Sequence, residues 1–204
     1  EVEHIGIGRA DQRKHRDATT GARRRVNVLG TAGGLHSLAE VRRAYPDGVD
    51  PRDAAWMWRR LLVALGFVHR AGVVHGAVLP THVLVEPEAH GLVLVDWCYS
   101  TVDDFDVIPA LVPAFADWYP VEVHRRAAPG PGTDIAMATR CMARLMGGRA
   151  PVALRRFAAG CTLTALRQRP DDAWHLLGEL DEVLENLYGP RTFRPFTLNH
   201  PAAL

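Results

Sequence analysis

The spacing of apolar residues predicts a mainly helical chain. Between Asp50 and Gly72, apolar side chains recur every three or four residues and therefore share one face of a long helix. They are Trp58, Leu61, Leu62, Leu65 and Val68. Asp50 followed by Pro51 is typical of an N-cap and a first helical position, and Gly72 is expected to end the helix. Similar signals predict helices over residues 37–45, 134–146, 151–161 and 172–187, the last with Asp171 as its cap.

Two short segments, 82–85 and 92–95, have the composition of β-strands. The sequence EPEAHG between them is turn-like, so the two strands are expected to form an antiparallel hairpin. The predicted fold class is therefore α+β, mainly α with a small β-hairpin.

The two ends of the chain differ from this patterned middle. Residues 1–26 include a stretch dense in Arg, Asp and Thr without apolar periodicity, which predicts a flexible or loosely packed charged arm. Its run of arginines at 23–25 is either a patch for phosphate or acidic partners or a solvated surface. Residues 191–204 are punctuated by prolines and are expected to wrap over the surface as a tail. Residues 27–190 remain as the one predicted domain.

Composition narrows the class of partner and the compartment. The chain has 204 residues and a formal net charge of +1, so no overall field favours nucleic acid or an anionic membrane. No apolar run approaches the roughly 18 residues that span a bilayer. Cys98, Cys141 and Cys161 lie far apart without CxxC spacing, which argues against a zinc site or a disulfide framework. We expect three buried or half-buried thiols in a reducing, cytoplasmic environment.

The order of motifs along the middle of the chain carries more information. The long helix is followed by VVHGAVLP at 73–80, and the predicted hairpin ends in Asp96-Trp97-Cys98. This order resembles the protein-kinase superfamily, where a helix leads into the catalytic loop HRDLKPEN and a hairpin leads into DFG.

Three later landmarks agree with the resemblance. Tyr119-Pro120-Val121-Glu122 stands where APE closes the activation segment, Asp134 opens an apolar helix, and Arg169-Pro170 precedes the last helix. The resemblance covers roughly residues 27–188. It implies the helical C-terminal lobe of a bacterial Ser/Thr-kinase-type domain, with the N-terminal lobe absent or reduced to a remnant within residues 1–26.

The resemblance implies structural roles for four residues. Glu122 and Arg169 are expected to form a buried bidentate ion pair, because either charge alone would be costly to bury. Asp134 is expected to accept backbone N–H bonds from the loop around His75 and so to hold its shape. His75 itself is expected to be a packed, hydrogen-bonded scaffold residue rather than a base.

The catalytic positions of the family carry unsuitable side chains in this chain. Ala77 stands where the family has the aspartate that accepts the substrate proton, and Leu79 stands where it has the loop lysine. His82 replaces the asparagine that binds the second magnesium, and imidazole is a poor ligand for Mg²⁺. Asp96 is retained. Either it contacts a metal at the phosphates of a nucleotide, or it caps the turn that follows the hairpin.

The nucleotide-binding half of such a fold is not evident. Kinases place a sheet, a glycine-rich lid and an ATP-binding lysine ahead of this lobe. Lys14 is the only lysine in the chain, and its setting in QRKHRD is not that of an apolar strand. The short gap between the helices at 134–146 and 151–161 also leaves no room for the helix that docks protein substrates in many kinases. No cofactor is therefore expected, and ATP with Mg²⁺ only if an N-terminal lobe is supplied elsewhere.

Three hypotheses for the function follow. The favoured one is a catalytically inactive, pseudokinase-like module that binds another protein or another domain of its own polypeptide, with no role for nucleic acid or membrane. Candidate aromatic anchors for such contacts are Trp118, Tyr119, Phe193 and Phe196. The alternative is a divergent ATP-dependent phosphotransferase in which Asp96 and His82 contact metal or phosphate. An unrelated helical fold with the same order of motifs is the third, and it would not require Glu122 and Arg169 to meet.

Overall fold

A computed structural model of the chain describes residues 11–16, 23–28, 34–102 and 106–198. These residues divide into two compact units at the junction between Leu35 and His36. The larger unit is mainly helical and includes a small antiparallel sheet, which agrees with the predicted α+β class.

The smaller unit contains a hairpin of two strands, β1 (Asp11–Arg16) and β2 (Arg23–Val28). They pair antiparallel with Asp11 opposite Val28, and Lys14 lies opposite Arg25. The sequence predicts no strand here, because neither segment alternates apolar and polar residues along its length. The remaining parts of the predicted arm, 1–10 and 17–22, lie outside the described residues.

The larger unit is built from six helices in the described stretches. They are α1 (Leu38–Ala44), α2 (Pro51–Arg70), α3 (Val121–His124), α4 (Pro131–Met146), α5 (Val152–Cys161) and α6 (Ala173–Tyr188). Single 3₁₀ turns lie at Trp97–Tyr99, Gly147–Arg149 and Leu166–Gln168, and a kinked pair of such turns lies at Pro113–Trp118. None of these helices is both long and apolar enough to cross a membrane.

A three-stranded sheet lies beside the helices, with strands β3 (His36–Ser37), β4 (Val83–Glu86) and β5 (Gly91–Leu94) in that order. The hairpin of β4 and β5 is the predicted one, and Val83 pairs with Leu94. The third strand is only two residues long, so its sequence carries no recognisable period. It ends at Ser37, whose hydroxyl caps α1 by accepting the N–H of Glu40 at 3.2 Å.

Helix α2 lies at the centre of the core and packs against α4, α6 and β5. Its predicted apolar face is fully buried at Trp58, Leu61, Leu62 and Leu65, whereas Val68 near its end is only half-buried. Asp50 caps its first turn as predicted, since its carboxylate accepts the N–H of Arg52 at 2.9 Å.

Two local predictions are wrong. The cap of α6 is Asp172 rather than Asp171, and its carboxylate accepts the N–H groups of Trp174 and His175. Cys98 is exposed, whereas Cys141 and Cys161 are buried as predicted. Burial raises the pKa of the Cys161 thiol to about 11, so this thiol stays protonated and unreactive at neutral pH.

The tail packs on the start of α2 over its described part, 191–198. Phe196 is buried between Tyr45 and Trp56, at ring-centroid distances of 5.8 Å and 6.0 Å. Arg194 Nε contacts Asp53 Oδ1 at 3.2 Å. Phe196 is therefore a core residue rather than the free aromatic anchor that the sequence suggested.

Candidate functional site

The centre of the site is the carboxylate of Asp134, in the first turn of α4, which is fully buried. Its Oδ2 accepts the N–H of His75 at 2.8 Å, and its Oδ1 accepts the N–H of Gly76 at 2.9 Å. His69 Nε2, in the last turn of α2, lies 3.0 Å from Oδ2 and donates to it, because an ionised carboxylate can only accept. Charge-assisted bonds of this kind are the strong ones. Asp134 therefore fixes the loop between α2 and β4, as the resemblance implied.

His75 joins this loop to the β4–β5 hairpin. Its Nδ1 accepts the N–H of Ala77 at 3.3 Å, so the ring proton is assigned to Nε2, which donates to the carbonyl of Val95 at 2.9 Å. Burial lowers the pKa of the imidazole and outweighs the opposing charge of Asp134, so the ring is neutral. Both ring nitrogens are occupied, and His75 has no free lone pair with which to act as a general base.

The backbone of the loop turns sharply at Gly76, which has a φ of +75°. A Cβ at this position would lie 2.6 Å from the carbonyl oxygen of Tyr99, so only glycine fits both the conformation and the space. Ala77 and Leu79 follow, and both are fully buried in the apolar core. Neither side chain can accept a proton or neutralise a phosphate.

Asp96 and His82 lie next to each other at the end of the hairpin. Asp96 Oδ2 is 3.1 Å from His82 Nε2, and His82 Nδ1 donates to the carbonyl of Ala77 at 2.9 Å. The Asp96 side chain is 55% exposed and its backbone is left-handed, with φ 63°. It makes no capping bond to the 3₁₀ turn that begins at Trp97, so the capping role considered from the sequence is wrong.

The two ring nitrogens of His82 both face acceptors. A neutral imidazole has one N–H, and the carbonyl of Ala77 takes it. The other ring nitrogen, Nε2, is the one that faces the Asp96 carboxylate. No group of three or more His, Cys, Asp and Glu side chains suited to a metal occurs within the described ranges. Structural zinc sites use four protein ligands and catalytic ones three, so the pair by itself has fewer side chains than either kind of site uses.

Glu122 and Arg169 form the predicted ion pair, and both are buried. Arg169 donates from one terminal nitrogen to Glu122 Oε1 at 2.6 Å and from the other to Oε2 at 3.1 Å. Thr133 Oγ also donates to Oε1, at 3.0 Å. Burial pushes the pKa of Glu122 upward, but these hydrogen bonds outweigh it and hold that pKa below its usual value.

Sequence reasoning missed two members of this network. His69 lies at the end of α2, half-buried beside an otherwise apolar face, and that polar exception was the available signal. Thr133 gives no such signal, because nothing in the sequence around it indicates which distant acceptor its hydroxyl will meet. Among the suggested anchors, Tyr119 is buried and Trp118 half-buried, whereas Phe193 is exposed.

Replacing Arg169 by Met leaves Glu122 buried without its partner. We expect the free energy of unfolding, measured by urea denaturation, to fall by about 3–5 kcal/mol. The double variant Glu122→Leu/Arg169→Met should lose less than Arg169→Met alone, because no uncompensated charge remains inside. Arg167→Met, at an exposed position two residues away, serves as the control and should stay within about 0.5 kcal/mol of the wild type. A double variant less stable than Arg169→Met would contradict this interpretation.

Asp134→Asn keeps the shape of the side chain but turns one acceptor into a donor that faces an N–H group. The variant should lose about 2–4 kcal/mol of stability, because a charge-assisted contact is removed and a buried N–H is left unpaired. Hydrogen exchange at the amides of His75 and Gly76 should accelerate more than exchange elsewhere in the core. The exposed Asp117→Asn is the matched control. Unchanged protection of those two amides in Asp134→Asn would show that the carboxylate does not hold the loop.

The site can thus hold a loop rigidly and present one exposed carboxylate beside a buried imidazole. Compared with models of known protein families, the chain matches none. A search of curated proteins likewise gives no significant match.

Proposed function

We propose that this chain is a protein-kinase-like domain that does not transfer phosphate and acts as an interaction or regulatory module. Its partner is another protein or another domain of the same polypeptide. The observation that carries the proposal is the pair of bonds from the backbone of His75 and Gly76 to Asp134, which fixes a loop whose next residue is Ala77. The loop has the rigidity of a catalytic loop and lacks the group that would take a proton.

The polar contacts that hold this scaffold together involve different residues from the positions that would carry out phosphate transfer. The bonds of Asp134 and His75 and the Glu122–Arg169 pair are all formed. Ala77 and Leu79, in contrast, are packed into the core and offer no polar atom. Phosphoryl transfer depends on positioning and charge neutralisation, and both need polar side chains at these places. The combination supports a retained architecture without the activity.

Beside the same loop, the segment 97–102 supplies a surface suited to a partner. Trp97 is 41% exposed and Val102 is 65% exposed. The Trp97 ring is nevertheless held in place, since Nε1 donates to the carbonyl of Leu94 at 3.0 Å and the ring packs edge-to-face on His75 at 4.6 Å. An exposed but immobilised tryptophan loses little entropy on binding, which favours its use as an anchor.

A second candidate function rests on the His82–Asp96 contact. An exposed carboxylate 3.1 Å from an imidazole would be able to contact the metal or the phosphates of a nucleotide. This observation favours a divergent ATP-dependent phosphotransferase whose nucleotide-binding lobe is supplied elsewhere. It requires activity without the aspartate, the loop lysine and the asparagine of the family, and we therefore place it second.

Nucleotide binding and phosphate transfer separate the two functions. With millimolar ATP and either Mg²⁺ or Mn²⁺, the proposed module should show no increase in melting temperature and no transfer of radiolabelled phosphate to itself or to a general protein substrate. Ala77→Asp should also be inactive, because Leu79 and His82 remain. A metal-dependent stabilisation by ATP that disappears in Asp96→Asn would favour the phosphotransferase, and transfer by the wild type would overturn the proposal.

The interaction role has its own test. A photo-crosslinking amino acid, p-benzoylphenylalanine, is placed at Trp97 and, as the control, at the exposed Asp117, in cells that produce the protein. Position 97 should give a discrete adduct with one partner, and position 117 should not. In the protein without the crosslinking amino acid, the substitution Trp97→Ala should abolish binding of that partner. It should not lower the melting temperature by more than a few degrees. Identical adduct patterns at both positions would contradict a binding surface at Trp97.

A further inference from the structure

A cavity of about 620 Å³ lies away from the residues of the His75–Asp134 cluster. It is bounded by the first half of α2, the second half of α6, the turn of the β4–β5 hairpin and the segment 189–194 that follows α6. This volume lies within the range of small-molecule sites, about 300–1,000 Å³. The proposed function makes no use of it.

One wall of the cavity is a stack of three rings. His90 lies between Trp56 and Phe193, with centroid distances of 4.1 Å and 4.5 Å and interplanar angles of 6° and 28°. Phe193 at the outer end of the stack is 65% exposed, and Tyr188 on the α6 side is also exposed. Exposed aromatic rings that line a cavity offer flat apolar surface to a planar ligand.

Two ring nitrogens of the lining residues are buried and have no hydrogen-bond partner. They are Nε1 of Trp56 and Nε2 of His90, whose residues are only 7% and 6% exposed. The backbone carbonyl of His90 accepts a hydrogen bond from Arg60 Nε at 2.9 Å. Burial lowers the pKa of His90, so its ring is neutral. A buried polar atom without a partner is costly, and a ligand that reaches these nitrogens would remove that cost.

Arginine side chains line the same cavity and bring positive charge to it. Of these, Arg52 forms an ion pair with Asp50, and Arg194 forms one with Asp53.

Arg59 contacts Asp181, but Arg191 pairs with no carboxylate in the described part of the chain. The pKa of the Arg59 guanidinium is lowered by burial and then by the nearby charges of Arg191 and Arg60. One further carboxylate, Glu185, lines the cavity. An anion at Arg191 would relieve the repulsion between the guanidinium groups, and a guanidinium binds carboxylate or phosphate through two parallel hydrogen bonds.

We propose that this cavity is a binding site for a planar aromatic ligand that carries one carboxylate or phosphate group. The anionic group is bound by Arg191 at the rim, and the ring system lies against Phe193 and Tyr188. The cavity does not include Asp96 or depend on nucleotide binding there. A failure to bind the ligand would therefore leave the proposed function untested, and the reverse also holds.

The test uses titration calorimetry of the whole protein with three naphthalene probes. They are 2-naphthoate, 2-naphthyl phosphate and the uncharged 2-naphthalenemethanol, which has nearly the same size. At least one anionic probe should bind saturably with one site and about tenfold more tightly than the alcohol. The stronger of the two anions identifies which anionic group the site takes.

Matched variants locate the binding. Arg191→Gln should weaken the anionic probe about tenfold and leave the alcohol unchanged, whereas Phe193→Ala should weaken both. Arg43→Gln, which removes an exposed arginine on α1, is the control and should change neither. The proposal is overturned if no probe binds saturably, if the alcohol binds as well as the anions, or if Arg191→Gln and Arg43→Gln behave alike. Each variant is first shown to melt as the wild type does.

Discussion

The larger unit depends on one buried carboxylate. Asp134 is removed from solvent, and an ionised group in that position is stable only where hydrogen-bond donors surround it. The donors come from the backbone of residues 75–76 and from the ring of His69. Because they belong to the end of α2 and to the following loop, the charge on α4 forces these segments together. The apolar contact between α2 and α4 then closes around it.

The same first turn of α4 connects to the second buried anion. Thr133, the neighbour of Asp134, donates its hydroxyl to Glu122 and accepts the N–H of Gly130. Glu122 is in turn neutralised by Arg169, which precedes α6. Two carboxylates distant in sequence are therefore satisfied through adjacent residues of one helix. A change at either of them would disturb the other through that turn.

This arrangement is compatible with the proposed scaffold that does not transfer phosphate. Removing a buried partner from Asp134 or Glu122 costs stability whatever the protein does, so those residues are constrained by folding alone. The positions of Ala77 and Leu79 carry no such cost, since apolar side chains in the core stabilise the fold. His82 keeps a structural bond to Ala77 while it contacts the exposed Asp96. The proposed loss of phosphate transfer is thus compatible with a rigid and well-packed loop.

The apolar periods and caps, which are local properties of consecutive residues, were enough to predict five of the six described helices and the β4–β5 hairpin, but not the single turn of α3. Through the order of its motifs the sequence also indicated that Glu122 would meet Arg169 and that Asp134 would bind the loop at His75. It did not determine the polar hairpin of β1 and β2, the two-residue strand β3, the contact of His69 with Asp134 or the cavity beside Phe193. Those features depend on which distant surfaces meet, and pairing between backbones or between polar atoms leaves no period in the chain. They are therefore set by how the folded segments pack against one another.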